Sequence, residues 1–316
     1  MPETSLRLAC FAGVLITMAL WEWLAPRRQR VASQAVRRSN HLLLVGLNTV
    51  VARLVLPLSA VQAADWASTR HWGLLNHLRL PVWLECTLAI VLLDLAIYGQ
   101  HVLFHHVPCL WRLHKVHHAD LDLDVTSGIR FHTLEILLSA VLKLGLVVVL
   151  GPTAGAVMVF EIVLNAGSLW SHSNVQLPLP IDRVLRLVLV TPDMHRVHHS
   201  VIPTETNSNY GFHIPWWDFL FHTYQAQPQA GHEGMTIGLE SPRDEREVSQ
   251  LPGLLLMPFR QESISSNLCS RSPTGDSTVG EGSTVGARAG ARGPQPRSNT
   301  ATNQNLSQPT PPHSSG

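Results

Sequence analysis

Charge is scarce in this 316-residue chain: Asp, Glu, Lys and Arg make up 14% of it, against roughly a quarter in an ordinary soluble domain. The formal net charge of +1 leaves no electrostatic footprint for nucleic acid, so no nucleic-acid partner is expected. Cysteine is also rare. Cys10, Cys86, Cys109 and Cys269 stand apart with no CxxC, which excludes a disulfide framework and a thiolate metal site. There is no Gly-rich dinucleotide fingerprint and no haem or flavin motif, so any redox chemistry needs electrons from a separate protein.

Histidine, by contrast, occurs 18 times, and much of it is in register. Asp94 to His118 reads DLAIYGQHVLFHHVPCLWRLHKVHH, with His101 and His105 four apart, followed by His114, His117 and His118. HRVHH repeats the spacing at His195, His198 and His199. Positions i, i+3 and i+4 share one face of a helix, so each HxxHH presents three imidazoles in one direction. Neutral imidazole is a common ligand for zinc, iron, copper and nickel. Eight such residues exceed one tetrahedral zinc site and fit two metals. The Glu-x-x-His pairs of carboxylate-bridged bundles are absent, so the site is nitrogen-rich, and affinity alone does not choose the metal.

Five apolar stretches accompany these motifs: Leu6–Leu24, His41–Ala63, Leu80–Phe104, Leu134–Leu150 and Thr153–Trp170. About 20 such residues cross a bilayer as a helix. The last two are short and split by Gly151-Pro152, a turn signal. Arg27, Arg28, Arg30, Arg37 and Arg38 follow the first stretch with no acid among them, which makes that loop cytoplasmic by the positive-inside rule. The alternation then brings every histidine from His101 to His199 to the same side. Pro180 to Val190 alternates arginine with Leu and Val and reads as a helix at the membrane surface or in a soluble core. From about Gln261 the sequence is Ser, Thr, Gly, Pro, Asn and Arg, a composition that remains disordered.

The fold expected is all-α: a polytopic membrane helical bundle with a cytoplasmic histidine-rich helical cap and a disordered C-terminal tail. Residues 1–80 form N-terminal transmembrane helices and loops, 81–230 the catalytic domain, 231–260 an extension and 261–316 the tail. Metal ligands are expected at His101, His105, His114, His117, His118, His132, His172, His195, His198 and His199. For His132 a hydrogen bond or a brace with Glu135 is the other reading. Asp94, Asp193 and Glu135 are candidates to orient ligand imidazoles. Arg112, Lys115 and Arg196 are read as facing headgroups or an electron donor, and His213 and His232 as surface residues. A histidine-rich metal-binding or metal-transport protein without redox catalysis is the competing reading, though it would need ionisable groups along a path through the bilayer.

The ordered series Asp94-x3-Tyr98-x2-His101-x3-His105, Leu110 to His118, Arg130 to Glu135, Ser168 to Asn174, Thr191 to Ser200, Glu205 to Gly211 and Trp217 to Tyr224 resembles the sterol desaturase / fatty acid hydroxylase superfamily. The resemblance covers roughly residues 90 to 225. It implies an integral membrane enzyme with two non-haem iron ions that uses O2 to hydroxylate or desaturate a lipid. It also implies a separate electron donor of cytochrome b5, ferredoxin or reductase type. Two positions depart from the pattern: Thr133 replaces a proline in HPxE, and His222 replaces a glycine in LFGTY.

Overall fold

The computed structural model describes residues 3–260; the expected disordered tail lies outside the described residues. Among them there are helices and no strands, with two isolated β-bridges at Pro26–Val175 and Ser200–Ile237. Five helices are long and apolar enough to cross a membrane, and the chain is a multi-pass integral membrane protein.

Helix α1 (Glu3–Leu24) ends just before Pro26, and α2 (Gln34–Val55) ends before Pro57. The second apolar stretch is therefore not one span. Proline lacks an N–H and disfavours helix in the residue before it, so the chain breaks at Leu56–Ser59. It restarts as α3 (Ala60–Thr69), which is capped reciprocally by Ser59 and Gln62. Ten residues rise about 15 Å, half a bilayer core. Helix α3 instead lays Ala60, Ala63, Ala64 and Ala67 against α6 (Thr133–Leu150) and α7 (Ala154–Ser171), small residues that let helix backbones approach closely. The turn between α6 and α7 uses Gly151 at φ 65°, and it meets Gly73 at φ 96°; a Cβ on Gly73 would lie 2.4 Å from the Gly151 Cα. Only glycine combines that backbone with that approach.

Helix α4 (Val82–His106) is followed by α5 (Pro108–His118), with Pro108 at the first position of α5. Proline there ends one helix and preorganises the next, so α5 turns out of the α4 axis and folds back beside it. Two short helices, α8 (Leu179–Leu185) and α9 (Pro192–His198), follow α7. Leu179, Ile181, Val184, Leu187 and Val188 around α8 are exposed together with Arg183, while Asp182 and Arg186 are buried and pair at 2.7 Å, so this segment turns an apolar side with one arginine outward, as a helix at a membrane surface would.

The arginines after α1 do more than face solvent. Arg27 pairs with Asp193 at 3.1 Å, and Arg30 pairs with Glu22 at 3.0 Å. Arg37 is fully buried between Asp120 (2.5 Å) and Asp124 (2.8 Å). These bonds tie the linker to the elements that carry the histidines and put the two on one side of the bundle.

Candidate metal centre

Four elements deliver the histidines. The C-terminal turns of α4 carry His101 and His105; α5 carries His114, His117 and His118; His172 caps α7; α9 carries His195 and His198, with His199 as its cap. Thr191 accepts the Met194 N–H and Pro192 occupies the first position of α9, which fixes where that short helix starts and so the direction of its imidazoles.

The rings gather into two adjacent groups. His101, His105, His114, His118 and His198 form one, and His117, His172, His195 and His199 the other; within each, one ring nitrogen per residue lies within 4.8 Å of all the others. The groups touch where the His118 and His199 rings stack, centroids 4.5 Å apart. All nine residues are buried except His105, which is partly exposed.

The hydrogen bonds fix the tautomers. A carbonyl or carboxylate oxygen only accepts, so the ring nitrogen facing it must carry the proton. His101 Nδ1 donates to Tyr210 O (2.7 Å), His198 Nδ1 to Ser208 O (2.7 Å) and His114 Nδ1 to Glu135 Oε1 (2.6 Å). His172 Nδ1 donates to Ser168 O (2.7 Å) and His117 Nδ1 to Arg130 O (3.2 Å). In a neutral ring Nε2 is then a bare lone pair. Yet Nε2 of His101 faces Nε2 of His114 and of His198, each at 3.1 Å, and Nε2 of His172 faces Nε2 of His117 at 2.9 Å. Acceptor facing acceptor is repulsive unless a cation lies between. In addition, His105 Nε2, both nitrogens of His118, and Nδ1 of His195 and His199 are buried with no hydrogen-bond partner, at a cost of about 1–3 kcal/mol each if left so. These residues fit metal ions. Burial, reinforced by the surrounding imidazoles, holds His117, His118, His195, His198 and His199 well below the usual histidine range, and burial brings His172 down to about 4. The rings are therefore neutral, the form that ligates.

His132 does not join either group. Its Nδ1 accepts the Leu134 N–H as the N-cap of α6, and its Nε2 donates to Leu255 O at 3.2 Å. With Nδ1 accepting and Nε2 donating, both nitrogens are in use: His132 starts the helix that carries Glu135. Asp193 does not orient a ligand imidazole; it pairs with Arg196, Arg27 and His232. Arg196 and Lys115 are buried, so neither faces headgroups. His213 and His232, read from sequence as surface residues, are buried too. Asp94 Oδ1 accepts from His213 (2.6 Å) and its Oδ2 from the Trp217 indole (2.8 Å), so it pins the segment after the last histidines to α4. His222 adopts φ 59°, the left-handed backbone for which glycine is the usual residue.

Sequence reasoning overlooked the Asp120–Asp124 segment. Asp120 also pairs with Arg130 at 3.2 Å, and Asp122 accepts the backbone N–H of Val31 and Ala32. Burial opposes the Asp120 charge, but Arg37 and Arg130 hold its carboxyl down to about 2. The signal was the DLDLD run, unusual in a chain so poor in charge.

Beneath the histidines is a cavity of about 1170 Å³ between the spans. His101, His114 and Glu135 stand on its wall with Ile97, Phe104 and Phe212. The fatty acid hydroxylase family model matches residues 86–223. That match and the relatives that follow place this segment in the sterol desaturase / fatty acid hydroxylase superfamily. An ornithine lipid hydroxylase of Rhizobium tropici is 27% identical over 229 residues, 69% of this chain and 67% of that protein. Human alkylglycerol monooxygenase is 29% identical over 152 residues, 47% of this chain and 32% of its own length. A very-long-chain aldehyde decarbonylase of Oryza sativa is 25% identical over 195 residues, 56% of this chain and 30% of that protein. The chain thus spans two thirds of the first of these superfamily relatives and about a third of the other two. No solved structure matches it.

Proposed function

We propose that this protein is a membrane-bound non-haem di-iron oxidoreductase that uses O2 to hydroxylate or desaturate a C–H bond of a lipid. The observation that carries the reading is the pair of all-histidine groups, lone pairs turned toward one another, set at the head of a largely apolar cavity. Iron rather than zinc is supported by the family, whose relatives named above are two lipid-oxidising enzymes and a decarbonylase. His101, His105, His114, His118 and His198 would hold one ion, and His117, His172, His195 and His199 the other. Two irons held there would supply the O2 activation that an unactivated C–H bond requires.

The chain's own part is definable. The carbonyls of Tyr210, Ser208, Arg130 and Ser168 and the carboxylate of Glu135 keep a proton on Nδ1 and turn Nε2 inward. This is the outer support that metal-bound histidine commonly has. The apolar part of the cavity wall, with Ile97, Phe104 and Phe212 beside His101 and His114, would hold an alkyl chain against the metal centre. Electrons would come from a separate donor of cytochrome b5, ferredoxin or reductase type. The catalytic unit is residues 81–230, served by the N-terminal helices and the 231–260 extension, with the histidines on the cytoplasmic side.

The test is lipid analysis of cells expressing the chain under 18O2. A lipid product carrying one 18O hydroxyl, or a new double bond, absent with His117→Ala and with His198→Ala, is the result expected. No chain-dependent lipid oxidation in cells supplied with a donor of the named types would remove the oxygenase reading in favour of metal binding without redox catalysis.

A further inference from the structure

The cavity is not apolar throughout. Lys143 lies ten residues into α6 from Thr133, about 15 Å inside a span, and pairs with Glu161 in the middle of α7. Arg7 of α1 reaches the other oxygen of Glu161 at 2.8 Å and also bonds Glu3 at 3.1 Å. These four residues and Arg53 line the end of the cavity away from the histidines. Ionisable residues inside a membrane are expensive, and the default reading is that they are functional.

Two features go beyond a tie between helices. The Glu161 side chain is 6% exposed, while those of Lys143 and Arg7 are 20% and 30% exposed: the anion is covered and the cations remain accessible. The count is also unequal, with Arg7, Arg53 and Lys143 against Glu3 and Glu161. This end of the cavity therefore has positive charge to offer. None of these residues except Lys143 and Glu161 lies within the segment matched by the family model.

We infer that Lys143 and Arg7 bind the anionic polar group of an amphiphilic substrate, a carboxylate or a phosphate, and so set which carbon of its alkyl chain reaches His101 and His114. The inference takes the cavity as the substrate chamber and in that respect rests on the proposed function. Its geometry gives a scale. From Glu135, which holds His114, to Lys143 is eight residues of α6, about 12 Å. A fully extended chain advances about 3.3–3.6 Å per three bonds, so the attacked carbon lies on the order of ten bonds from the anion. The polar group sits toward the membrane face opposite the histidines, because α1 runs from Glu3 and Arg7 up to Glu22, which accepts the backbone N–H of Val125 and Asn174 beside the metal centre.

The experiment is equilibrium binding to the full-length chain in neutral phosphatidylcholine nanodiscs at pH 8, with hexadecanoic acid, hexadecyl phosphate and hexadecan-1-ol as probes. The native chain is expected to bind one or both anions about tenfold more tightly than the alcohol, the worth of one charge-assisted hydrogen bond; the tighter of the two identifies the headgroup chemistry. Lys143→Met is expected to reduce the preference to within twofold with alcohol binding unchanged, and Lys143→Arg to retain it. Equal binding of acid, phosphate and alcohol by the native chain overturns the inference, whatever the variants do, and leaves the triad as a tie between α1, α6 and α7. Binding is read without turnover, so an inactive chain that still prefers the anion defeats the proposed function and not this inference.

Discussion

Removing the carboxylate of Glu135 should weaken one metal position and spare the other. Glu135 Oε1 accepts the His114 Nδ1–H at 2.6 Å, and its Oε2 has no partner, so the side chain's one hydrogen-bonding duty is to that imidazole. In Glu135→Ala the buried His114 N–H loses its acceptor, the ring is free to rotate and its Nε2 is less basic. Loss of such outer support lowers metal affinity about 10–100-fold, or about 1.4–2.8 kcal/mol. Glu135→Gln keeps an acceptor without the charge and should fall at the lower end. The assay is metal retention during dialysis against a graded chelator. Both variants should release one ion early, from the five-histidine group, and hold the second as the native chain does. Release of both ions together, or of neither within twofold of native, would refute the assignment of His114 and Glu135 to one group.

Further outcomes follow from the same geometry. His132→Ala should leave metal content unchanged and cost about 1 kcal/mol of stability as a lost helix cap, read as a small fall in Tm; loss of metal would contradict its exclusion from the groups. Arg37→Met removes the cation shared by Asp120 and Asp124 but leaves Arg130 on the first and Arg38 on the second, so it should destabilise by about 3 kcal/mol, the low end for a broken buried pair; a Tm within a degree of native would show the network to be idle. For pH, the His172 ring titrates near 4 when folded against about 6.5 unfolded, and burial shifts His117, His118, His195, His198 and His199 the same way. Between those values the unfolded chain binds more protons, so stability is present above pH 6.5 and lost as pH falls toward 4. Asp218, raised to about 6 by burial, opposes this. Thermal unfolding of the metal-free chain should therefore show Tm falling from pH 7.5 to 5; a flat or rising Tm would contradict neutral rings.

The helical periodicity of HxxxH and HxxHH made the ligand-bearing faces legible, because a short helix leaves those imidazoles only one direction in which to point. Their division into five and four was not legible: His117 and His118 are neighbours in α5 yet belong to different groups, a consequence of how α5 meets α7 and α9. Hydropathy found all five spans but merged α2 with α3, since an apolar average passes over Pro57. His213 and His232 read as surface residues because nothing local marks burial; their carboxylate neighbours, Asp94 and Asp193, are 119 and 39 residues away. The arginine linker was read for topology alone, whereas its acceptors lie in DLDLD and in α9, a pairing only the folded chain makes.

The central claim is two metal ions in adjacent histidine groups, and elemental mass spectrometry of the detergent-purified chain tests it most directly. Two irons per chain are expected in the native protein, with His117→Ala depleting one group and His198→Ala the other. One zinc per chain that persists in iron-supplemented expression and survives either substitution would contradict the account.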